Sequence, residues 1–350
     1  MPIVSQLVWQ QYDHVIGVDT HARTHTLAVL SSAGALLKSA TFPTSKPGLD
    51  RAYAWMLREA PGHTLVAMEG TGSYGATFTD LLSAHRVEVT ETKPPKRGVR
   101  RAGKSDVIDA EHAARHALAL PVDRLMIPRT HHGDQAALRV LLTSRKALQK
   151  NKTATSNALT ALLRGFPLGI DARKKLTKAQ IGQVAAWRTR STDTPAQNTI
   201  RAEATRMAQE IHTRQGEIAT INAKLTIHVT ALAAWLLEEN GLGPFTAAQL
   251  LVSFSAHGRI RSEAAFARLA GVAPIPASSG NTTRHRLHRG GDRQLNHALY
   301  IIASHRMLND EPTKAYTAKR QEQGHNRRET LRNLKRHIAR SIFRKLNANT

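Results

Sequence analysis

The hydrophobic period of this 350-residue chain changes once, near residue 128, and that change limits the fold more than any other feature. Before it, apolar runs are short and bounded by turn residues, as strands and their flanking helices require. His14-Val15-Ile16-Gly17-Val18 reads as a buried strand, and Thr24 to Leu30 and Ala35 to Phe42 as two more, joined through Ser-Ser-Ala-Gly. Three strands in succession predict an antiparallel meander. A helix from Gly48 to Glu59, a strand from His63 to Met68, a helix from Ala76 to His85 and a strand from Val87 to Thr92 then alternate. Meander followed by alternation predicts a mixed α/β sheet over 12–127.

From Pro128 to Glu239 the strand signal is gone, and apolar residues recur at helical spacing with one break between Gly165 and Asp171. Ile200, Ala204, Met207, Ile211, Arg214, Ile218, Ile221 and Leu225 alternate spacings of four and three, a heptad seam with Arg214 as its exception. Two readings stay open for this helical region, 128–240: a helix packed on its own domain, or a coiled coil between copies of the chain. The last part, 241–350, opens on Gly241-Leu242-Gly243-Pro244 and a helix from Thr246 to Ser253. It ends in a basic helix, Arg328 to Leu346, whose apolar stripe of Leu331, Leu334, Ile338 and Ile342 leaves Arg and Lys free to face phosphate. A mainly α C-terminal domain is expected.

Lys and Arg number 50 against 26 Asp and Glu, a formal charge of +24. Such a charge calls for a polyanionic partner and binds phosphate backbones without reading sequence. The absence of cysteine excludes disulfides, thiolate zinc sites and a cysteine nucleophile. Aromatic residues make up 5%, too few for single-strand stacking as the main binding mode. The most apolar stretch, Leu225 to Leu237, is interrupted by His228 and Thr230 and is shorter than the ~20 residues of a spanning helix. With no leader pattern in Met1 to Gln11, a soluble, cytoplasmic protein with no membrane partner is expected.

Four carboxylates stand out. Asp19 follows the strand Val15 to Val18 and Glu69 follows Thr64 to Met68, at the carboxyl ends of strands, where open α/β sheets bind ligands. Asp106 and Asp109 begin a helical stretch to Leu118, and their spacing of three puts both on one face. Each acid alone reads equally as a turn residue or a helix N-terminal acid. Together they suit Mg²⁺ or Mn²⁺, a site able to support phosphodiester cleavage. Just before Asp106 come Lys93, Lys96, Arg97, Arg100, Arg101 and Lys104 with no acid among them, a cationic approach for phosphate. The loop Gly70-Thr71-Gly72-Ser73-Tyr74-Gly75 permits close backbone approach but lacks the lysine of a Walker motif. In the last third, Ser278 and Ser279 sit in a Pro-Ala-Ser-Ser-Gly-Asn loop followed by Arg284, Arg286, Arg289 and Arg293, which could stabilise charge on a phosphoryl group. The same loop reads as ordinary turn chemistry.

Ile16-Gly17-Val18-Asp19, Met68-Glu69-Gly70-Thr71-Gly72-Ser73-Tyr74 and Lys104-Ser105-Asp106-Val107-Ile108-Asp109-Ala110 resemble the metal site of the DEDD transposases of the insertion sequence 110 type. Gly241-Leu242-Gly243-Pro244 resembles that family's helix-hairpin-helix turn, with Gly241 and Gly243 as nucleic-acid contacts. Ala270-Gly271-Val272-Ala273-Pro274 through Arg289-Gly290-Gly291-Asp292-Arg293-Gln294-Leu295-Asn296 resembles its C-terminal signature. The resemblance implies a RuvC-like, ribonuclease H-type N-terminal domain holding Mg²⁺ or Mn²⁺ on Asp19, Glu69, Asp106 and Asp109. It also implies a serine nucleophile at Ser279, with Ser278 the neighbouring alternative. The implied partners are double-stranded DNA at element ends and target, a structured guide RNA and further copies of the chain. The implied setting is the nucleoid of a bacterial cytoplasm. A metal-dependent junction nuclease and an inactive nucleic-acid-binding derivative are the competing functions.

Overall fold

The structure, a computed structural model, describes residues 6–92, 105–129, 132–277, 285–288 and 290–349. They form two compact units: Met1–His131 completed by Phe254–Arg261, and His132–Ser253 with Ser262–Thr350.

The first unit is a five-stranded mixed sheet between helices. In chain order it runs α1 (Val8–Gln11), β1 (His14–Thr20), β2 (Thr24–Ser31), β3 (Leu36–Pro43), α2 (Lys46–Glu59), β4 (Thr64–Met68), α3 (Ala76–Ala84), β5 (Glu88–Glu91) and α4 (Asp106–Leu118). The strand order is β3-β2-β1-β4-β5. β1, β2 and β3 pair antiparallel, the expected meander, and β1, β4 and β5 pair parallel, the expected alternation. Side chains alternate across the pleat, so both faces of β1 are apolar. Ile16 and Val18 join Val66, Met68, Trp55 and Phe78 under α2 and α3. Val15 joins Leu65, Ala67, Ala110, Ala114 and Ala117 under α4.

Element ends differ slightly from expectation. β1 runs on through Asp19, which therefore lies inside the strand rather than after it. The parallel partner β4 stops at Met68, but antiparallel pairing with β2 continues through Asp19 to Thr26 and Thr20 to His25. His63 stays outside β4 because its backbone is already engaged: its N–H donates to Asp13 Oδ2 at 2.8 Å and its carbonyl accepts from Asp13 N at 2.8 Å.

The second unit is mostly helical, with α5 (Gly133–Gly165), α6 (Lys178–Ala185), α7 (Pro195–Ala233), α8 (Trp235–Glu238), α9 (Pro244–Phe254) and α10 (Glu263–Leu269). A short antiparallel pair, β6 (Pro274–Pro276) and β7 (His285–Leu287), precedes α11 (Arg293–Asn309), α12 (Glu311–Glu322) and α13 (Arg327–Ala348). α7 starts at a capping box of Thr194 and Gln197, with Pro195 in its first turn. α5 and α7 lie antiparallel: Asp134 meets His228, Arg145 donates to Asn222 and Thr155 donates to Glu210, so positions rise on one helix as they fall on the other. Of the heptad seam, Ala204, Ile211, Ile218, Ile221 and Leu225 are buried within the chain, as in a helix packed on its own domain. Arg214, the exception, turns to Glu217 at 3.0 Å and Glu210 at 3.9 Å.

Candidate metal centre

β1 presents Asp19 to α4 because of one glycine. A Cβ on Gly17 would lie 1.8 Å from the Ala110 carbonyl oxygen and 2.8 Å from Ala114 N. Only a bare Cα lets the helix backbone lie this close to the strand. Ala110, Ala113, Ala114 and Ala117 are the buried small residues on the facing side of α4. Ser105 caps that helix, its hydroxyl accepting from Ile108 N at 3.3 Å, so the first turn begins at Asp106.

The alternation of β1 places Asp19 on the same face as Val15 and Gly17, toward α4. Asp19, His21 and Asp106 each offer a ligand atom within 4.8 Å of the others. Among the described residues this is the one such group of three or more acids and histidines. His21 Nδ1 lies 3.5 Å from Asp19 Oδ2. Asp19 is half-buried while His21 and Asp106 are exposed, which keeps the group open to solvent and to a large substrate. Two carboxylates and one imidazole fit a hard or borderline divalent cation, and Mn²⁺ tolerates the nitrogen better than Mg²⁺. Convergence of two carboxylates is itself unfavourable without a positive charge between them.

Glu69 and Asp109 flank this group without joining it. In the parallel register of β1 and β4, Val18 pairs with Met68, so Asp19 and Glu69 occupy the next positions on adjacent strands. Thr20 Oγ1 donates to the Glu69 carbonyl at 3.1 Å, tying the two strand ends together. Asp109 stands one turn beyond Asp106 on α4, half-buried. After Glu69 the chain turns at Gly70, with φ of 60°, and its carbonyl accepts from Ser73 N and Gly75 N. Thr71 in this turn is fully buried.

Sequence reasoning missed His21 and Glu91. The signal for His21 was its place two residues after Asp19, at the tight turn into β2. Glu91, at the carboxyl end of β5, gathers two arginines: Arg259 Nη2 at 2.7 Å and Arg129 Nε at 3.4 Å. Arg259 also donates to the Ile127 carbonyl, and Arg129 N donates to Thr71 Oγ1 at 3.4 Å. The loop after Glu69 is therefore held, through Glu91, by the Phe254–Arg261 segment of the first unit. Nothing in local sequence announces a pair separated by that much chain.

In the second unit, β6 and β7 bracket the connection that carries the two serines. Pro276 pairs with His285 and Ile275 with the exposed Arg286. The base of this hairpin is built from the C-terminal signature. A Cβ on Gly291, with φ of 100°, would meet the Leu269 carbonyl at 2.3 Å. Asp292 caps α11 through Gln294 N and Leu295 N and accepts from Ser253 Oγ at 2.6 Å. Asn296 donates to the Ala270 carbonyl at 2.6 Å and accepts from Lys335 Nζ at 3.1 Å. Burial, followed by the nearby Arg332 charge, lowers the pKa of Lys335. Gly241, with φ of 79°, makes the turn between α8 and α9, and Gly243 N donates to Thr246 Oγ1 at 2.9 Å. Arg293 is exposed at the first position of α11. Lys93, Lys96, Arg97, Arg100, Arg101, Lys104, Ser278, Ser279, Arg284 and Arg289 lie outside the described residues. No helix among the described residues is long and apolar enough to cross a membrane.

Comparison with known proteins covers both units. The model of a DEDD transposase family of the IS110 type, described as a transposase, matches residues 16–167. The model described as the transposase IS116/IS110/IS902 family matches residues 233–318. The chain is also 34% identical over 134 residues to the insertion element IS110 uncharacterized 43.6 kDa protein of Streptomyces coelicolor, a match spanning 38% of this chain and 32% of that relative's length.

Proposed function

Because the chain belongs to the IS110-type transposase family, whose two models together span about two thirds of it, we propose that it is a DNA transposase or site-specific recombinase of an insertion sequence. The observation that carries this reading is the Asp19, His21 and Asp106 group at the carboxyl end of β1. In this reading the first unit is a RuvC-like, ribonuclease H-type catalytic domain, corresponding to 12–127. The helical region 128–240 would mediate assembly into a dimer or tetramer through its exposed faces, since most of the α7 seam is buried within the chain. The part 241–350 is the C-terminal transposase domain, with a helix-hairpin-helix-like turn at Gly241 and Gly243.

Asp19 and Asp106, with His21 and the flanking Glu69 and Asp109, would hold Mg²⁺ or Mn²⁺. When bound, such an ion supplies charge stabilisation at a phosphodiester oxygen. The protein's own residues position that chemistry. α4 carries Asp106 onto β1, Thr20 ties Asp19 to Glu69, and Arg129 fixes the loop that follows Glu69. The cations Lys93, Lys96, Arg97, Arg100, Arg101 and Lys104 would guide the DNA backbone to the acids. Ser279 is the nucleophile in this account. Its Oγ forms an ester bond to phosphorus as the bond from phosphorus to a DNA oxygen breaks, the serine proton leaves, and a DNA hydroxyl end is released. Arg284, Arg286, Arg289 and Arg293 offset the charge on the phosphoryl group. A structured guide RNA would pair with element and target.

The covalent step gives the test. Labelled duplex DNA from the sequences flanking the gene, incubated with protein and Mg²⁺, is expected to yield protein-linked label on a denaturing gel. Ser279→Ala should abolish the adduct while leaving DNA affinity within about twofold, since the phosphate contacts are untouched. Ser278→Ala should retain it. An adduct that survives in Ser279→Ala and vanishes in Ser278→Ala moves the nucleophile by one residue. Free cut ends with no adduct in the parent identify a metal-dependent nuclease instead, and binding without any product identifies an inactive nucleic-acid-binding derivative.

A further inference from the structure

α13 carries two rows of opposite character. Every fourth residue from Thr330 to Leu346 (Thr330, Leu334, Ile338, Ile342 and Leu346) is buried. Every fourth residue from Arg328 to Arg344 (Arg328, Arg332, Arg336, Arg340 and Arg344) is an arginine. The rows are offset by two positions, about 200° around a helix, so the arginines run along the side away from the core. Four steps of about 6 Å make this row some 24 Å long.

Charge along the row is unequally compensated. Near its C-terminal end Glu263, from the first turn of α10, meets Arg340 at 3.0 Å and also pairs with Arg344. Those partners, Arg344 foremost, hold the Glu263 carboxyl below the usual range. Among the described residues no acid forms an ion pair with Arg328, Arg332 or Arg336, although the Glu263 charge also acts on Arg336 from farther off. Arg336 Nη1 is moreover buried without a hydrogen-bond partner. A helix this cationic is expensive to hold in a folded domain unless an anion completes it.

We propose that this arginine row is a docking surface for the phosphate backbone of duplex DNA, and that Glu263 occupies its last two members in the free protein. Guanidinium groups are suited to phosphate through paired donors, and here they repeat along a rigid helix. A single strand would require large aromatic stacking partners, and the outward side of α13 presents no Phe, Tyr or Trp. Duplex DNA is favoured over duplex RNA because the inference rests on the reading of the chain as an enzyme acting on DNA. Glu263 is a competitor for the same guanidiniums. DNA entering the full row must displace it, so the carboxylate limits non-specific affinity.

The test is fluorescence anisotropy of the full chain with a labelled DNA duplex across a salt series, alongside a structured RNA hairpin. Arg328→Gln, Arg332→Gln and Arg336→Gln combined keep the side-chain stems and remove three charges. This variant should bind duplex DNA about a hundredfold more weakly near 0.1 M salt, with the slope of log affinity against log salt reduced by about 2.7. Glu263→Gln should do the reverse, binding more tightly with a slope steeper by up to about 1.8. A control that removes the same charge elsewhere, Lys146→Gln with Lys150→Gln and Lys174→Gln, should lose clearly less. The proposal is overturned if the arginine variant matches the parent, if the control loses as much, or if Glu263→Gln binds less tightly. It is also overturned if the arginine variant loses the hairpin while keeping the duplex. Binding is read apart from catalysis. A parent that holds DNA through this row yet never cuts it would contradict the transposase reading and leave the docking surface standing.

Discussion

At the level of single residues, Gly17 decides how close α4 lies to β1. Its neighbours could be read from sequence: Ile16 and Val18 by apolar alternation, Asp19 by its place at the strand's end. The need for glycine could not, because the atom it avoids, the Ala110 carbonyl oxygen, is far away in sequence. Gly17→Ala forces α4 off β1 or distorts both. It should destabilise the first unit by about 2–3 kcal/mol or more, in the range of overpacked cores, seen as a lowered midpoint of urea unfolding. The same change should weaken divalent-ion binding, since it moves Asp106 away from Asp19. A variant that unfolds at the parent midpoint would show that the contact is not tight. His21 illustrates the opposite limit. Its place two residues after Asp19 was in the sequence, but that spacing gains meaning only when the fold sets His21 beside two carboxylates.

At the element scale, strands and helices were legible because their apolar periods differ. The boundaries were less so, because they depend on partners: β1 outruns β4 only because β2 continues beside it. Glu91 and Arg259 form a pair that no local pattern discloses. Both side chains are largely buried, at 13% and 7% exposure. Removing Arg259 leaves Glu91 only the longer contact to Arg129, so Arg259→Met should cost about 3 kcal/mol, the low end for a broken buried pair, and adding Glu91→Gln should recover part of it. A double-mutant cycle measures this coupling, and additive losses would contradict it.

The opposite end of the sheet holds a titrating cluster. His63 Nε2 lies 3.1 Å from Glu88 Oε1, and Tyr12 Oη donates to Glu88 Oε2 at 2.5 Å. The hydrogen bond to Glu88 raises the pKa of His63, and the bond from Tyr12, more than that from His63, lowers the pKa of Glu88. A raised histidine stabilises the fold at low pH and loses that contribution as pH rises through its folded value. A lowered carboxylate stabilises at high pH and loses its contribution as pH falls through its folded value. The melting temperature should therefore be highest between those two titrations and decline as pH rises through and above the ordinary histidine range. His63→Gln should flatten the decline. An unchanged pH profile in that variant would remove His63 as its source.

At the scale of the whole molecule, the formal charge of +24 pointed to a polyanion from the outset, and motif likeness pointed to both ends of one family. The change from a sheet-bearing part to a helical part was legible too. The segment Phe254–Arg261, which completes the sheet-bearing unit from within the C-terminal part, was not, because chain order says little about which distant segment returns to a sheet. Nor was the inequality along α13, where composition shows arginine but only the fold shows which acid meets it.

In the proposed function, Asp19 and Asp106, brought together across Gly17, form the centre at which DNA strands are cut. The most direct measurement is cleavage of labelled duplex DNA by the parent and by Asp106→Asn, each with and without Mg²⁺ or Mn²⁺, with melting followed in parallel. Cleavage by the parent only when a divalent ion is present, and a loss of about a hundredfold or more in Asp106→Asn with melting unchanged, is the predicted result. Cleavage by Asp106→Asn at the parent rate would contradict it.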